Sequence, residues 1–202
     1  EAVGSGGEVF PNVVTRTITD EEIERMQYVY CGLDWGFSVD PFAFIRLSYD
    51  RKTDTIYLID ELYQKNCSNA RIAELIKEKG YHISGRISPG GIMYSPYAEQ
   101  QTIFADAAEP KSIADLRGAG LKIYPCKKYP GSVIYGIRWL QNRKIVIDPK
   151  RTPHAWKEFT EYEYLTTKDG EFLADVPDEN NHILDACRYA LDRLINNRGV
   201  SA

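Results

Sequence analysis

The sequence lacks any run approaching the ~18 uninterrupted apolar residues that a membrane-spanning helix requires, so a span of that kind is excluded. Cysteine is scarce and badly spaced for chemistry. Cys31, Cys67, Cys126 and Cys187 lie 36, 59 and 61 positions apart, which fits neither a CxxC zinc knuckle nor a redox pair. Each sits among apolar neighbours and reads as a small buried hydrophobe in a reducing compartment. The N-terminus has neither the basic region nor the apolar stretch of a secretion signal. No GxxxxGK[ST] phosphate loop occurs, so the 202 residues contain no ATPase motor of that type. No internal repeat is visible.

What is present is a globular balance, 43 % apolar and 27 % charged residues, at a length that suits one domain and would cramp two. The net charge of −4 hides a segregation: from Leu116 to Ile147 there is no acid, yet Arg117, Lys122, Lys127, Lys128, Arg138, Arg143 and Lys144 fall there. That window carries +7 and the rest of the chain −11, so one face could attract phosphate while the remainder repels it; a solvated basic face without a partner is the alternative. Residues 1–26 read as a linker or N-terminal arm, 27–197 as the domain and 198–202 as a flexible tail. The chain begins Glu1-Ala2-Val3 with no Met, as expected of a processed product or an excised piece.

Thr19 and Glu22 form a capping box for a short helix. Three strands follow, Tyr28 to Asp34, Pro41 to Tyr49 and Thr55 to Leu62, joined by short loops as in an antiparallel meander. Ser68 caps a helix through Lys79, and Tyr81 to Gln101 is a Gly/Pro-rich insertion. Thr102 to Asp106, Lys111 to Arg117 and Leu121 to Tyr124 make a strand, helix, strand run with parallel pairing. A helix from Ser132 to Gln141, a strand from Lys144 to Ile147 and a helix from Pro153 come next. Glu161 to Leu165 and Glu171 to Ala174 flank an Asp169-Gly170 turn in a hairpin. The last helix starts at Asn180 or Asn181 and runs to about Asn196, with Ile183, Cys187, Ala190, Leu191 and Leu194 as its core stripe. The fold class is therefore α/β, with a mixed sheet.

Three carboxylates stand where carboxylates are locally out of place. Asp34 ends an apolar strand, Asp106 ends another, and Asp185 lies one turn into an apolar helix, three residues after His182. If the first two strands are neighbours, their carboxylates converge and repel unless a cation intervenes. All-oxygen ligation selects Mg²⁺ or Mn²⁺, and two such ions can bracket a scissile phosphate, one activating water and one steadying the leaving oxygen. Taken singly, each residue has an ordinary structural role open to it.

The order of these residues, a strand Asp, two further strands, a helix, a second strand Asp and a late helix Asp, resembles that of the metal ligands of ribonuclease H-like nucleases. Gly32-Leu33-Asp34-Trp35-Gly36, the stretch Ala105 to Ser112 and the stretch Asn181 to Ala190 are similar to the three nuclease motifs of the large terminase family of tailed bacteriophages. Lys127 to Ile137 is similar to the segment between them. The resemblance implies a ribonuclease H-like mixed sheet, three antiparallel strands followed by parallel ones, flanked by helices, with the hairpin added near the active site and gating DNA. It implies an endonuclease that cuts concatemeric viral double-stranded DNA during genome packaging, with little sequence specificity. Asp34, Asp106, His182 and Asp185 would be catalytic and would hold two Mg²⁺ or Mn²⁺ ions, with either or both of His182 and Asp185 ligating directly. Lys127, Lys128, Arg138, Arg143 and Lys144 would grip the DNA backbone, although Arg138 has Trp139 or an acid as other partners. The implied partners are the packaging ATPase domain of the full-length protein, the portal and the small terminase subunit, with no membrane, in the cytoplasm of an infected bacterium at the procapsid. Other readings are a Holliday-junction resolvase or transposase of the same superfamily, or a module that mainly docks DNA or portal.

Overall fold

The computed structural model describes residues 7–36, 40–80, 86–88, 91–93 and 102–196. Strands β2 (Val29–Asp34), β3 (Phe42–Asp50) and β4 (Thr55–Gln64) form the expected antiparallel meander, in a register that sets Asp34 opposite Ala43 and Ala43 opposite Tyr63. Strand β7 (Ile103–Ala105) lies parallel beside β2, and β8 (Ile123–Pro125) parallel beside β7. On the other side β9 (Lys144–Ile147) runs parallel to β4 and is flanked by β1 (Val13–Thr15). The seven-stranded order is β1-β9-β4-β3-β2-β7-β8, a mixed α/β sheet.

The strand period of two divides the core. Ala43, Ile45 and Leu47 of β3 face helices α4 (Ser132–Gln141), α5 (Pro153–Glu161) and α6 (His182–Ala190). Phe42 and Phe44 face α2 (Asn69–Glu78) and α3 (Pro110–Gly118), where Ile72, Ile76, Ile113 and Leu116 close the second layer. Cys31, Cys126 and Cys187 are buried and all four cysteines are free. Burial pushes the Cys31 thiol up to about 12, which suits packing and not nucleophilic work. No helix among the described residues is long and apolar enough to cross a membrane.

Two elements differ from expectation. From Gly7 on, the segment read as an arm joins the body: Val9, Phe10 and Ile18 are buried, Phe10 lies 4.9 Å from the Phe159 ring, and β1 extends the sheet. The capping box of α1 (Asp20–Glu24) is formed as expected. The terminal helix breaks at Leu191 into α6 and α7 (Asp192–Asn196). There the Asp192 carboxylate is buried and accepts the backbone N–H of Lys127 at 3.1 Å, a tertiary bond that no helical periodicity records. The Asp169-Gly170 hairpin forms, with Leu173 N–H donating to the Leu165 carbonyl at 2.7 Å. Its Phe172 and Leu173 lean on α4, where they and Ile134, Ile137, Arg138 and Gln141 line a cleft of about 280 Å³.

Of the expected 81–101 insertion, only the backbone of β5 (Arg86–Ser88) and β6 (Gly91–Met93), an antiparallel pair, falls within the described residues. The 198–202 tail lies outside them.

Candidate active site

The parallel pairing of β2 with β7 brings Asp34 and Asp106 to the same end of adjacent strands. The Asp106 N–H donates to the Leu33 carbonyl at 3.1 Å, and the Trp35 indole N–H to the Asp106 carbonyl at 3.0 Å. Both residues are 9 % exposed. Helix α6 crosses directly over β2, so its first turn arrives above Asp34: His182 Nδ1 lies 3.1 Å from Asp34 Oδ2, and Nε2 4.0 Å from Asp40 Oδ1. Asp185, one turn further, is held by Arg188 through Nε and Nη2 at 3.1 and 2.7 Å from Oδ1. Arg188 is itself buried in a slot over Gly136, where a Cβ would come within 2.9 Å of its Cδ.

The electrostatics are those of crowded acids in a half-dry cleft. Burial pushes the Asp34 carboxyl up to about 6, and the charges of Asp185 and Asp106 push the same way while the His182 hydrogen bond opposes them. His182 is raised from its ordinary value, first by its bond to Asp34. Among the described residues no three His, Cys, Asp or Glu side chains are gathered closely enough to hold a metal ion as they stand. Cations of the chain itself neutralise two of the acids: Lys128 Nζ is 2.6 Å from Asp106 Oδ1, and Arg188 covers Asp185. The donor set nevertheless suits a hard divalent ion, being carboxylate oxygens with one imidazole, and a cation would relieve the repulsion borne by Asp34.

The five basic residues expected to bind DNA separate. Lys127 and Lys128 line a cleft of about 220 Å³ with Asp185, Arg188 and Tyr189. Arg138 is exposed on α4 beside the hairpin, away from this cleft. Arg143 and Lys144 lie at the opposite end of the sheet, since Lys144 pairs with Thr55 whereas Asp34 is level with Tyr63. Eight strand residues separate those levels, roughly 26 Å at the usual rise. Arg143 is also occupied: its guanidinium stacks 3.3 Å from the Trp139 ring centre, with Nε 3.1 Å from Asp54 Oδ1 and 3.3 Å from the Tyr49 hydroxyl. The stacking on Trp139 foreseen for Arg138 is thus made by Arg143.

Two acids that sequence reasoning passed over support the site. Asn181 makes no side-chain cap for α6; Glu158 of α5 supplies it, its Oε2 accepting the Leu184 N–H at 3.0 Å. Glu61 of β4 caps α5 in the same way, accepting the N–H groups of His154 and Ala155 at 2.9 Å, with His154 Nδ1 2.6 Å from its Oε1. The available signal was an acid within an apolar strand, for Glu61, and on the buried stripe of an amphipathic helix, for Glu158. Between them Tyr63 stacks on His154 with ring centres 4.2 Å apart and lies 6.3 Å from His182.

Glu158 Oε1 is buried without a hydrogen-bond partner, and burial pushes this carboxyl up to about 8. A carboxyl raised in the folded state keeps its proton while the unfolded chain ionises, so stability falls as pH rises from about 4.5 to about 8. Glu158→Gln retains an acceptor for Leu184 and removes that penalty. The variant's stability, from urea melts at pH 5 and pH 8.5, should fall less than the unchanged protein's by a few kcal/mol; equal losses would contradict the assignment.

A family model described as the terminase RNAseH like domain matches residues 34–193. The chain is 38 % identical over 206 residues to the terminase large subunit of Bacillus phage SPP1, covering 100 % of this chain and 45 % of that protein. It is 29 % identical over 162 residues to the PBSX phage terminase large subunit of Bacillus subtilis (strain 168), covering 80 % of this chain and 33 % of that one. The chain thus spans less than half the length of these curated relatives. Among solved structures, the nuclease domain of the SPP1 large terminase g2p with bound Mn superposes with a TM-score of 0.78 at 37 % identity, covering 91 % of this chain and 97 % of that one. The P22 large terminase nuclease domain shares the fold, with a TM-score of 0.61 at 17 % identity and coverage of 96 % and 99 %. The chain belongs to the terminase ribonuclease H-like family, as a nuclease domain of the large terminase type.

Proposed function

We propose that this domain is a divalent-metal-dependent endonuclease that cuts concatemeric viral double-stranded DNA during packaging, with little sequence specificity. The observation that carries the reading is that Asp34, in contact with His182, and Asp106 lie at the same end of adjacent strands, from segments far apart in sequence, in a chain similar to a terminase nuclease domain solved with Mn. Asp34, Asp106 and His182, with Asp185 beside them, would hold Mg²⁺ or Mn²⁺, two ions in the full reading. Such ions supply charge neutralisation at a scissile phosphate and a more acidic water. His182, engaged at Nδ1 by Asp34, has Nε2 left either to ligate an ion or to orient or protonate a reacting oxygen. Lys127 and Lys128 hold the DNA backbone without reading bases. The remaining partners, a packaging ATPase domain of a longer protein, the portal and the small subunit, and a place at the procapsid in the host cytoplasm, belong to the same proposal.

Incubation with supercoiled plasmid tests it. Mn²⁺ or Mg²⁺ should yield nicked and linear DNA, and excess EDTA should stop the reaction. DNA retention without divalent-dependent cutting would favour a docking module, and preference for four-way junctions over linear duplex would favour a resolvase.

The divided basic residues make a separate prediction. Lys127→Gln and Lys128→Gln should each lower the salt slope of DNA binding by about one. Arg143→Gln should leave the slope unchanged and cost about 1–2 kcal/mol of stability through the lost stacking and hydrogen bonds. Fluorescence anisotropy across a salt series, with melts, reads both; a reduced slope for Arg143→Gln would show that the far end of the sheet also carries DNA.

A further inference from the structure

Two of the site's acids carry a cation from the chain itself, and the two cations differ in kind. Arg188 is 7 % exposed on its side chain, grips Asp185 Oδ1 with two nitrogens and fills the slot left by Gly136. It has nowhere to go. Lys128 reaches Asp106 from the loop after β8, with a side chain 47 % exposed and one short contact, Nζ to Oδ1 at 2.6 Å. Its ammonium also lies 5.8 Å from the Tyr189 ring centre, on the wall of the open cleft that it lines with Asp185. A lysine is a compact charge on a flexible stem, so it can leave a carboxylate without disturbing the backbone.

We propose that Lys128 is an exchangeable counter-ion of Asp106: it occupies the carboxylate in the ion-free protein and competes with the divalent cation for the same oxygen. This inference rests on the reading above that Asp106 is a metal ligand. Its consequence is regulatory. The ion-free site is held nearly neutral, its ion affinity is lower than the bare acids would give, and loading requires displacement of the lysine. Arg188 leaves Asp185 with a permanent partner, so exchange is confined to the Asp106 side of the site.

The experiment compares the unchanged domain with Lys128→Met, Lys127→Met and Asp106→Asn, without DNA, by titrating Mn²⁺ and following free Mn²⁺ by electron paramagnetic resonance. Lys128→Met should bind Mn²⁺ about two- to fivefold more tightly, the scale of one lost half-exposed ion pair. Lys127→Met removes the same charge one residue away, and a change below about twofold is expected. Thermal melts supply a second measurement: Lys128→Met should melt lower in EDTA and gain more from saturating Mn²⁺ than the unchanged domain. Equal affinity for Lys128→Met and the unchanged domain, or equal tightening by both lysine variants, overturns the inference while leaving the nuclease reading intact. Absence of Mn²⁺ binding by the unchanged domain, or undiminished binding by Asp106→Asn, overturns the assignment of Asp106 as a ligand, and the inference with it.

Discussion

Asp34→Asn should leave a folded domain whose divalent-dependent cleavage of plasmid DNA has fallen by roughly a thousandfold or more, the scale expected when a ligand of the reacting centre is lost. Folding and chemistry separate cleanly at this position because Asp34 is buried. Its carboxyl is pushed up to about 6 by burial and by the charges of Asp185 and Asp106, so above that pH the ionised group costs stability in the ion-free protein. Asn is the same size and removes the charge, at the expense of the 3.1 Å contact with His182. In EDTA at pH 8 the variant should therefore melt at or above the temperature of the unchanged domain, and added Mn²⁺ should stabilise it far less. Asp106→Asn should also abolish cutting, but it frees Lys128, and so lacks the same gain. Wild-type turnover by Asp34→Asn would remove Asp34 from the site. Loss of activity accompanied by a collapse in melting temperature would instead make its role structural.

The parts of this arrangement that were legible in the sequence are those written in local order. A carboxylate closing an apolar strand is visible wherever it occurs, and Asp34 and Asp106 both close strands. The meander was legible because its apolar stretches are separated by short polar loops, and the parallel pairing of β7 with β8 followed from a strand, helix, strand run. What could not be seen depends on distant partners. Val9 and Phe10 are apolar residues within a Gly-rich stretch, and only the Phe159 and Tyr162 rings against which Phe10 packs turn them into core. Arg143 belonged to a run of positive charge, but its charge is spent on Trp139, Tyr49 and Asp54 at the wrong end of the sheet. Charge counted along the chain assumes a shared face, and β9 sends Lys144 one way while Lys127 and Lys128, after β8, go the other.

The caps of α5 and α6 were illegible for a related reason. A local cap is a short-range signal, and at Thr19 and Ser68 it was read correctly. The two helices that flank the site are capped from elsewhere in the fold, by Glu61 and Glu158. A carboxylate at a helix N-terminus is favourable through both its hydrogen bonds and the helix dipole. Supplying it from a neighbouring element also ties β4 to α5 and α5 to α6, so the position of His182 depends on a chain of two buried acids. The site is therefore set by packing as much as by its own residues.

That dependence is greatest at Gly32, and Gly32→Ala is the second substitution with a large expected effect. Helix α6 crosses β2 so closely that a Cβ at this position would stand 1.8 Å from the Ala186 carbonyl oxygen and 2.7 Å from the Ala190 nitrogen. Both are backbone atoms, so no rotamer change relieves the clash; the helix must lift or the strand must bow. Ala186, the facing residue, is itself fully buried and already among the smallest residues available. The expected cost is about 3 kcal/mol or more, at the upper end for overpacking, or a drop of roughly 6–12 °C in melting temperature for a domain of this size. Because His182 and Asp185 both ride on α6, the displacement moves them relative to Asp34, and the cleavage that survives should need more Mn²⁺ to reach half its maximum. Gly136→Ala, whose nearest contacts are side-chain atoms of Arg188, Cδ at 2.9 Å, and not backbone, should cost less than half as much. If the two variants melted alike, the close crossing of α6 over β2 would not be what holds His182 above Asp34.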